Sequence, residues 1–165
     1  MDRTTKDLMD AFAGESQANR KYLAFAAKAE QEGYPYVAKL FRAAAEAETV
    51  HAHNHLRTVG GIKSTAENLK EAIGGEMYEF KEMYPGMIAA AKDSGNKDAE
   101  RSFSFANEVE KIHHALYEKA LKTLEEKLKA VDMYVCPVCG YTAEEHPPET
   151  CPVCGAKGKV FKKID

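Results

Sequence analysis

Apolar positions recur at steps of three and four along most of the chain, the period of helices that bury one face. From about Thr4 to Glu32 the pattern runs through Leu8, Phe12, Tyr22, Phe25, Ala26 and Ala29 and predicts a first long helix. Gly33 suits its C-terminal end and Pro35 the first turn of a second helix, which runs to about Val59 and stops at Gly60-Gly61. Ser64 or Thr65 can cap a third helix, with Glu67 as an early acidic residue favoured by the helix dipole. Its period continues to about Lys92, and Pro85 is expected to kink or locally break it. After the turn residues Ser94-Gly95-Asn96, the series Phe103, Ala106, Val109, Ile112, Leu116 and Ala120 predicts a fourth helix from about Asp98 to Ala130. Four long helices with short joints predict antiparallel neighbours in an all-α four-helix bundle.

From Met133 onward the chain changes to Cys, Pro, Gly and Val in short runs, which suit tight turns and small strands. Two domains are therefore expected: residues 1–131 as the bundle and 132–165 as a small four-cysteine metal domain.

Composition narrows the function. At 165 residues there is room for one helical domain and a small appendage. Lys+Arg 23 against Asp+Glu 26 leaves a net charge of -3 with no basic stripe, so the electrostatic footprint of a nucleic-acid partner is missing. The segment from Met1 to Asp7 has no apolar h-region and no apolar run is long enough to span a bilayer, so no membrane association and a cytoplasmic location are expected. All four cysteines fall in the last thirty residues as two C-x-x-C pairs, the distribution of reduced metal ligands rather than of a disulfide framework.

An internal echo carries the first candidate chemistry. Glu46-x-Glu48-x-x-His51 recurs as Glu108-x-Glu110-x-x-His113, and Gly14-Glu15 recurs as Gly75-Glu76, at offsets of about 61 to 62 residues. A carboxylate and an imidazole three residues apart lie one turn apart on one helix face, so each pair can grip a metal. Ferritin-like di-iron and di-manganese bundles use two such pairs plus one inward Glu from each of the other two helices, places that Glu15 and Glu76 can take. Counted from the connecting turns at 1.5 Å per residue, Glu15 lies within roughly 3 to 8 Å of the level of Glu48 and His51. Glu76 and Glu79 match Glu110 and His113 similarly. Glu79 is a surplus carboxylate one turn beyond Glu76, able to let a metal exchange ligands as its charge changes. His53, His55 and His114 fall outside the repeated spacing, and His114 lies about 100 degrees off the Glu110 face. Carboxylates with imidazoles fit iron or manganese better than a closed zinc site.

The cysteines form two C-P-V-C-G knuckles, Cys136 to Gly140 and Cys151 to Gly155, whose four thiolates can close a tetrahedron. Backbone N–H groups in such knuckles face the sulfurs, and Tyr134, Tyr141 and Phe161 are expected to form the small core around them. A structural zinc ribbon is the competing reading, and the cysteines alone would favour it, because structural zinc also takes four-thiolate sites.

With Gly14-Glu15-Ser16-Gln17-Ala18-Asn19-Arg20, Glu46-Ala47-Glu48-Thr49-Val50-His51-Ala52, Gly75-Glu76-Met77-Tyr78-Glu79, Met83-Tyr84-Pro85, Glu110-x-x-His113 and the terminal cysteines, essentially the whole chain resembles the rubrerythrin family. The resemblance implies a ferritin-like bundle followed by a rubredoxin-like domain. It carries over Glu15, Glu48, His51, Glu76, Glu79, Glu110 and His113 as ligands of two irons, one of which shifts between Glu79 and His51 with redox state. It matches Tyr22 and Tyr84 to tyrosines beside that centre, although an aromatic at such a position also serves plain packing. It favours iron at Cys136, Cys139, Cys151 and Cys154. The implied activity is a non-haem di-iron peroxidase that reduces hydrogen peroxide to water and protects an anaerobe from oxidative stress. No G-x-G-x-x-G follows a strand, so reducing equivalents are expected from partner proteins, in this family rubredoxin and its NAD(P)H-dependent reductase.

A straight fourth helix would carry the cysteine domain roughly 27 Å beyond His113, too far for efficient electron transfer within one chain. A head-to-tail homodimer, as the resemblance implies, would close that gap. The alternatives are a ferritin-like iron-oxidising and iron-binding protein, favoured by a large cage, and a zinc-ribbon interaction module, favoured by a colourless cysteine site.

Overall fold

In the computed structural model, which describes Asp2–Asp165, the chain divides into two compact units between Lys63 and Ser64. Met1, where the N-terminal reading begins, lies outside the described residues.

The first unit is a pair of antiparallel helices, α1 (Arg3–Gln31) and α2 (Pro35–Thr58). Asp2 caps α1 by accepting from the Thr5 backbone N–H at 3.0 Å. Gly33, at φ 80°, makes the turn, a conformation glycine adopts without a Cβ penalty. Ala38, Ala45 and Ala52 are buried at seven-residue intervals on α2, and Ala26 and Ala29 on α1, so small side chains line the seam. Tyr22, Phe25 and Phe41 form an aromatic cluster beside it, with ring centroids 5.6 to 6.4 Å apart. Asn19 fixes the register: its Nδ2 donates to the Ala45 carbonyl at 2.7 Å and to Thr49 Oγ1 at 2.8 Å.

The second unit begins with α3 (Thr65–Tyr78), capped by a reciprocal Ser64–Glu67 capping box. A π-helical turn, Glu79–Met83, leads into α4 (Tyr84–Asp93), and α5 (Lys97–Lys122) packs back against them. The π turn is the answer to Pro85. A proline in a helix removes one N–H and crowds the preceding turn, and widening that turn relieves the conflict without ending the helix. The Tyr84 N–H accordingly donates to Glu79, five residues back. Asn96 caps α5 through the Ala99 N–H at 3.0 Å.

The fourth helix is shorter than its pattern predicts. It ends at Lys122 rather than near Ala130, because Thr123 Oγ1 binds the Lys119 carbonyl at 3.0 Å and the chain tightens to a 3₁₀ turn over Leu124–Glu126. Lys127 then enters the left-handed region at φ 48°, which reverses the chain.

Strands β1 (Met133–Val135), β2 (Thr142–Glu144) and β3 (Lys162–Ile164) form an antiparallel sheet in the order β2-β1-β3. The expected separation of roughly 27 Å is corrected by this reversal, because the cysteine domain folds back onto α5 of its own chain. The contacts run in order: a Cβ on Gly140 would stand 3.7 Å from Val109, Thr142 Oγ1 lies 3.0 Å from His113 Nε2, and Glu144 pairs with Lys119 at 2.6 Å. Strand β2 thus runs alongside α5 in the same direction. Tyr141 meets Phe161 edge-on at 6.2 Å, as the expected small core requires.

Candidate metal centres

In the first unit, Glu15 on α1 and Glu48 and His51 on α2 bring their ligand atoms within 4.8 Å of one another. His51 Nδ1 lies 2.9 Å from Glu48 Oε2 and 3.9 Å from Glu15 Oε1. Asn19 sits one turn from Glu15 and clamps α1 to α2 beside Thr49, so the register that joins these three groups is set by a polar bridge.

The second unit repeats the geometry. Glu76 on α3 and Glu110 and His113 on α5 converge within the same 4.8 Å. His113 Nδ1 lies 2.8 Å from Glu110 Oε2 and 4.0 Å from Glu76 Oε1. The internal echo of the sequence is therefore a repeat of side-chain geometry as well. His114 turns away from this group and packs edge-on against Phe80 at 5.5 Å.

Glu79 stands outside the tight trio at the start of the π turn, close enough to feel the Glu110 carboxylate and the His113 ring. Burial, then repulsion by the Glu110 charge and a hydrogen bond that protonated Glu76 donates to Glu110, push the Glu76 carboxyl up to about 7. Burial and the Glu110 charge raise Glu79 as well. Carboxylates crowded out of water in this way are relieved by a cation placed among them. Tyr84 packs on Phe103 at 6.3 Å, and burial followed by the fields of Glu79, Glu110 and Glu76 raises its hydroxyl. Tyr22 lies in the aromatic cluster between α1 and α2.

The two cysteine knuckles are near copies. Gly140 and Gly155, at φ 88° and 77°, each return an N–H to the first cysteine's carbonyl at 2.9 Å. Cys136 and Cys151 are buried, and all four Sγ atoms lie within 4.8 Å of one another. Cys136 to Cys154 and Cys139 to Cys151 are 3.6 and 3.5 Å. A tetrahedron with metal–sulfur bonds of ~2.3 Å has edges of ~3.8 Å, so the four sulfurs are already at the spacing a metal requires. Burial raises Cys136, but the backbone N–H groups of Val138 and Cys139, together with the Cys154 and Cys139 thiols, hold it below its ordinary value. Burial holds Cys139 and Cys154 above theirs.

Two polar residues beside the centres carry no motif. Thr142 binds His113, and Asn107, buried one turn before Glu110, has an Oδ1 with no partner among the described residues. Nothing in their spacing distinguishes either one. Among the described residues no helix is long and apolar enough to cross a membrane.

Comparison with known proteins agrees with this arrangement. Residues 6–121 match the rubrerythrin family model, and residues 134–162 match that of the rubrerythrin rubredoxin-like domain. The chain is 37% identical to rubrerythrin-2 of Clostridium acetobutylicum, over 96% of this chain and 95% of that protein. It is 34% identical to rubrerythrin of Porphyromonas gingivalis, over 98% and 90%. A solved structure of nigerythrin in its fully reduced, all-ferrous state is similar with a TM-score of 0.60 at 31% identity, covering 99% of this chain and 88% of that one. The Glu/His groups and the four-cysteine cluster match the family's cofactors, a di-iron centre and a rubredoxin-type iron. A helical chain with repeated Glu-x-x-His clusters and a terminal four-cysteine domain, matched by both family models, belongs to the rubrerythrin family.

Proposed function

We propose that this protein is a non-haem di-iron peroxidase that reduces hydrogen peroxide to water, with electrons relayed through its rubredoxin-type iron. The observation that carries this reading is the pairing of two equivalent carboxylate–histidine clusters with a four-cysteine site that touches one of them through Thr142. The dedicated four-cysteine domain counts against the storage reading.

The proposed ligands of the iron pair are Glu15, Glu48, His51, Glu76, Glu79, Glu110 and His113, and those of the single iron are Cys136, Cys139, Cys151 and Cys154. When bound, a diferrous pair supplies the two electrons of H2O2 + 2 e⁻ + 2 H⁺ → 2 H2O, and the four-cysteine iron is a one-electron carrier that returns them singly. The residues supply the rest. Each histidine directs Nδ1 toward its carboxylates, leaving Nε2 for hydrogen bonding. Glu76 and Glu79, whose carboxyls stand above their ordinary value in the metal-free cluster, would give up their protons to the metals they hold. On the family resemblance alone, Glu79 would alternate with His51 as a ligand of one iron. Tyr22 and Tyr84 are proposed to flank the centre, Tyr84 within the field of three carboxylates.

Rubredoxin and an NAD(P)H-dependent rubredoxin reductase are the proposed donors, and a role in peroxide defence in the cytoplasm of an anaerobe is proposed with them on the family resemblance. A head-to-tail homodimer is proposed on the family resemblance alone. With these donors, peroxide should be consumed catalytically, one NAD(P)H oxidised per peroxide. Failure to turn over, with many irons accumulating per chain instead, would favour the ferritin-like iron-oxidising alternative.

A further inference from the structure

The contact between the cysteine domain and α5 is built around one hydroxyl. Thr142 Oγ1 donates to the Gly140 carbonyl at 3.2 Å, which uses its only proton. Toward His113 Nε2, 3.0 Å away, it can then accept from the tautomer that carries the ring proton on Nε2. The Nδ1 lone pair is left facing Glu110 Oε2 at 2.8 Å and Glu76 Oε1 at 4.0 Å. A lone pair aimed at two carboxylate oxygens is repulsive unless a cation stands among them, and that is the arrangement a metal ligand needs. On either side of Thr142, the close approach of Gly140 to Val109 and the Glu144–Lys119 ion pair fix β2 along α5. The hydroxyl is therefore held in place by the docking of the whole domain.

We propose that Thr142 is a positioning residue for the carboxylate–histidine centre: by accepting from Nε2–H it fixes the His113 tautomer that presents Nδ1 to the metal, and it ties that choice to docking of the four-cysteine domain. The inference rests on the di-iron reading of the cluster. Partners of this kind orient a ligating imidazole and raise its basicity, and losing one lowers metal affinity or activity by about ten- to a hundredfold.

The test uses full-length, iron-loaded, fully reduced protein as wild type, Thr142→Val and Thr142→Ser. Valine keeps the shape without the hydroxyl, and serine keeps the hydroxyl. In the diferrous protein, the Nε2–H of an Nδ1-bound imidazole is a solvent-exchangeable proton resonance shifted far from the rest of the spectrum. The His113 signal, identified by its loss in His113→Ala, should exchange with water at least about tenfold faster in T142V, and iron affinity should fall about ten- to a hundredfold, with T142S close to wild type. An unchanged four-cysteine absorption band confirms that T142V is folded. Equal exchange and affinity in T142V and wild type would overturn the proposal, as would a T142S as impaired as T142V, or the lack of any shifted exchangeable His113 signal. These readouts do not depend on turnover. A protein that shows them but does not reduce peroxide would refute the peroxidase reading and leave the role of Thr142 standing.

Discussion

His113 Nδ1 lies 2.8 Å from Glu110 Oε2, and His51 Nδ1 lies 2.9 Å from Glu48 Oε2, so one i, i+3 geometry is used twice in this chain. The equivalence gives His113 a definite expected role. His113→Ala should lower iron bound at the carboxylate centre while the four-cysteine iron stays fully loaded. Iron analysis combined with the visible absorption of the cysteine site checks this. Loss of both metals together would mean that His113 supports the fold rather than the centre.

The carboxyl of Glu76 provides a pH test. In the metal-free protein it titrates near 7 against an ordinary 4.5, so between those values the native state keeps a proton that the unfolded chain has lost. Its contribution to stability is therefore present at low pH and lost as pH rises through that window. Glu76→Gln should stabilise the metal-free protein at pH 8 by about 1 kcal/mol, since solvent screens much of the shift, and should leave pH 4 stability unchanged. Metal binding has the opposite sign: it expels the proton, so affinity should fall as pH drops below about 7. Urea melts and metal titrations at the two pH values check both.

Much of this was legible in the chain because the signals were repeated. The apolar period placed α1 and α2 to within a residue or so, and the two Glu-x-x-His motifs and two C-P-V-C-G knuckles picked out the side chains that cluster. The reversal after α5 was not legible, since Glu125, Glu126, Lys127, Leu128, Lys129 and Ala130 all favour helix and the left-handed residue there is a lysine rather than a glycine. Pro85 marked a disturbance but could not distinguish a kink from a widened turn, which tertiary packing decides. Thr142 carries no signal of its own, because its role exists only once β2 lies against α5.

Replacing Gly140 or Gly155 with alanine separates backbone strain from crowding. Both have φ near 80°, and a Cβ would find open space at Gly155 and ordinary contact with Val109 at Gly140. Each substitution should therefore cost a similar 1 to 2 kcal/mol, or about that, from the left-handed backbone alone. Thermal melts followed at the cysteine-site absorption would show it, and a much larger loss at Gly140 would assign the cost to its packing on α5.

Cys136→Ser separates the two centres functionally. The buried thiol that backbone N–H groups and neighbouring thiols hold below its ordinary value is lost, and the cysteine iron should bind poorly. The carboxylate centre should still oxidise once with peroxide, while sustained turnover with rubredoxin as donor falls at least about tenfold. Normal turnover in this variant would show that electrons bypass the cysteine site.

The most direct test of the account is to mix the anaerobically reduced, iron-loaded protein with hydrogen peroxide, or with oxygen, in a stopped-flow spectrophotometer. The account predicts rapid, stoichiometric oxidation of both centres by peroxide and slower oxidation by oxygen. A colourless, zinc-filled cysteine site, or no preference for peroxide over oxygen, would contradict it.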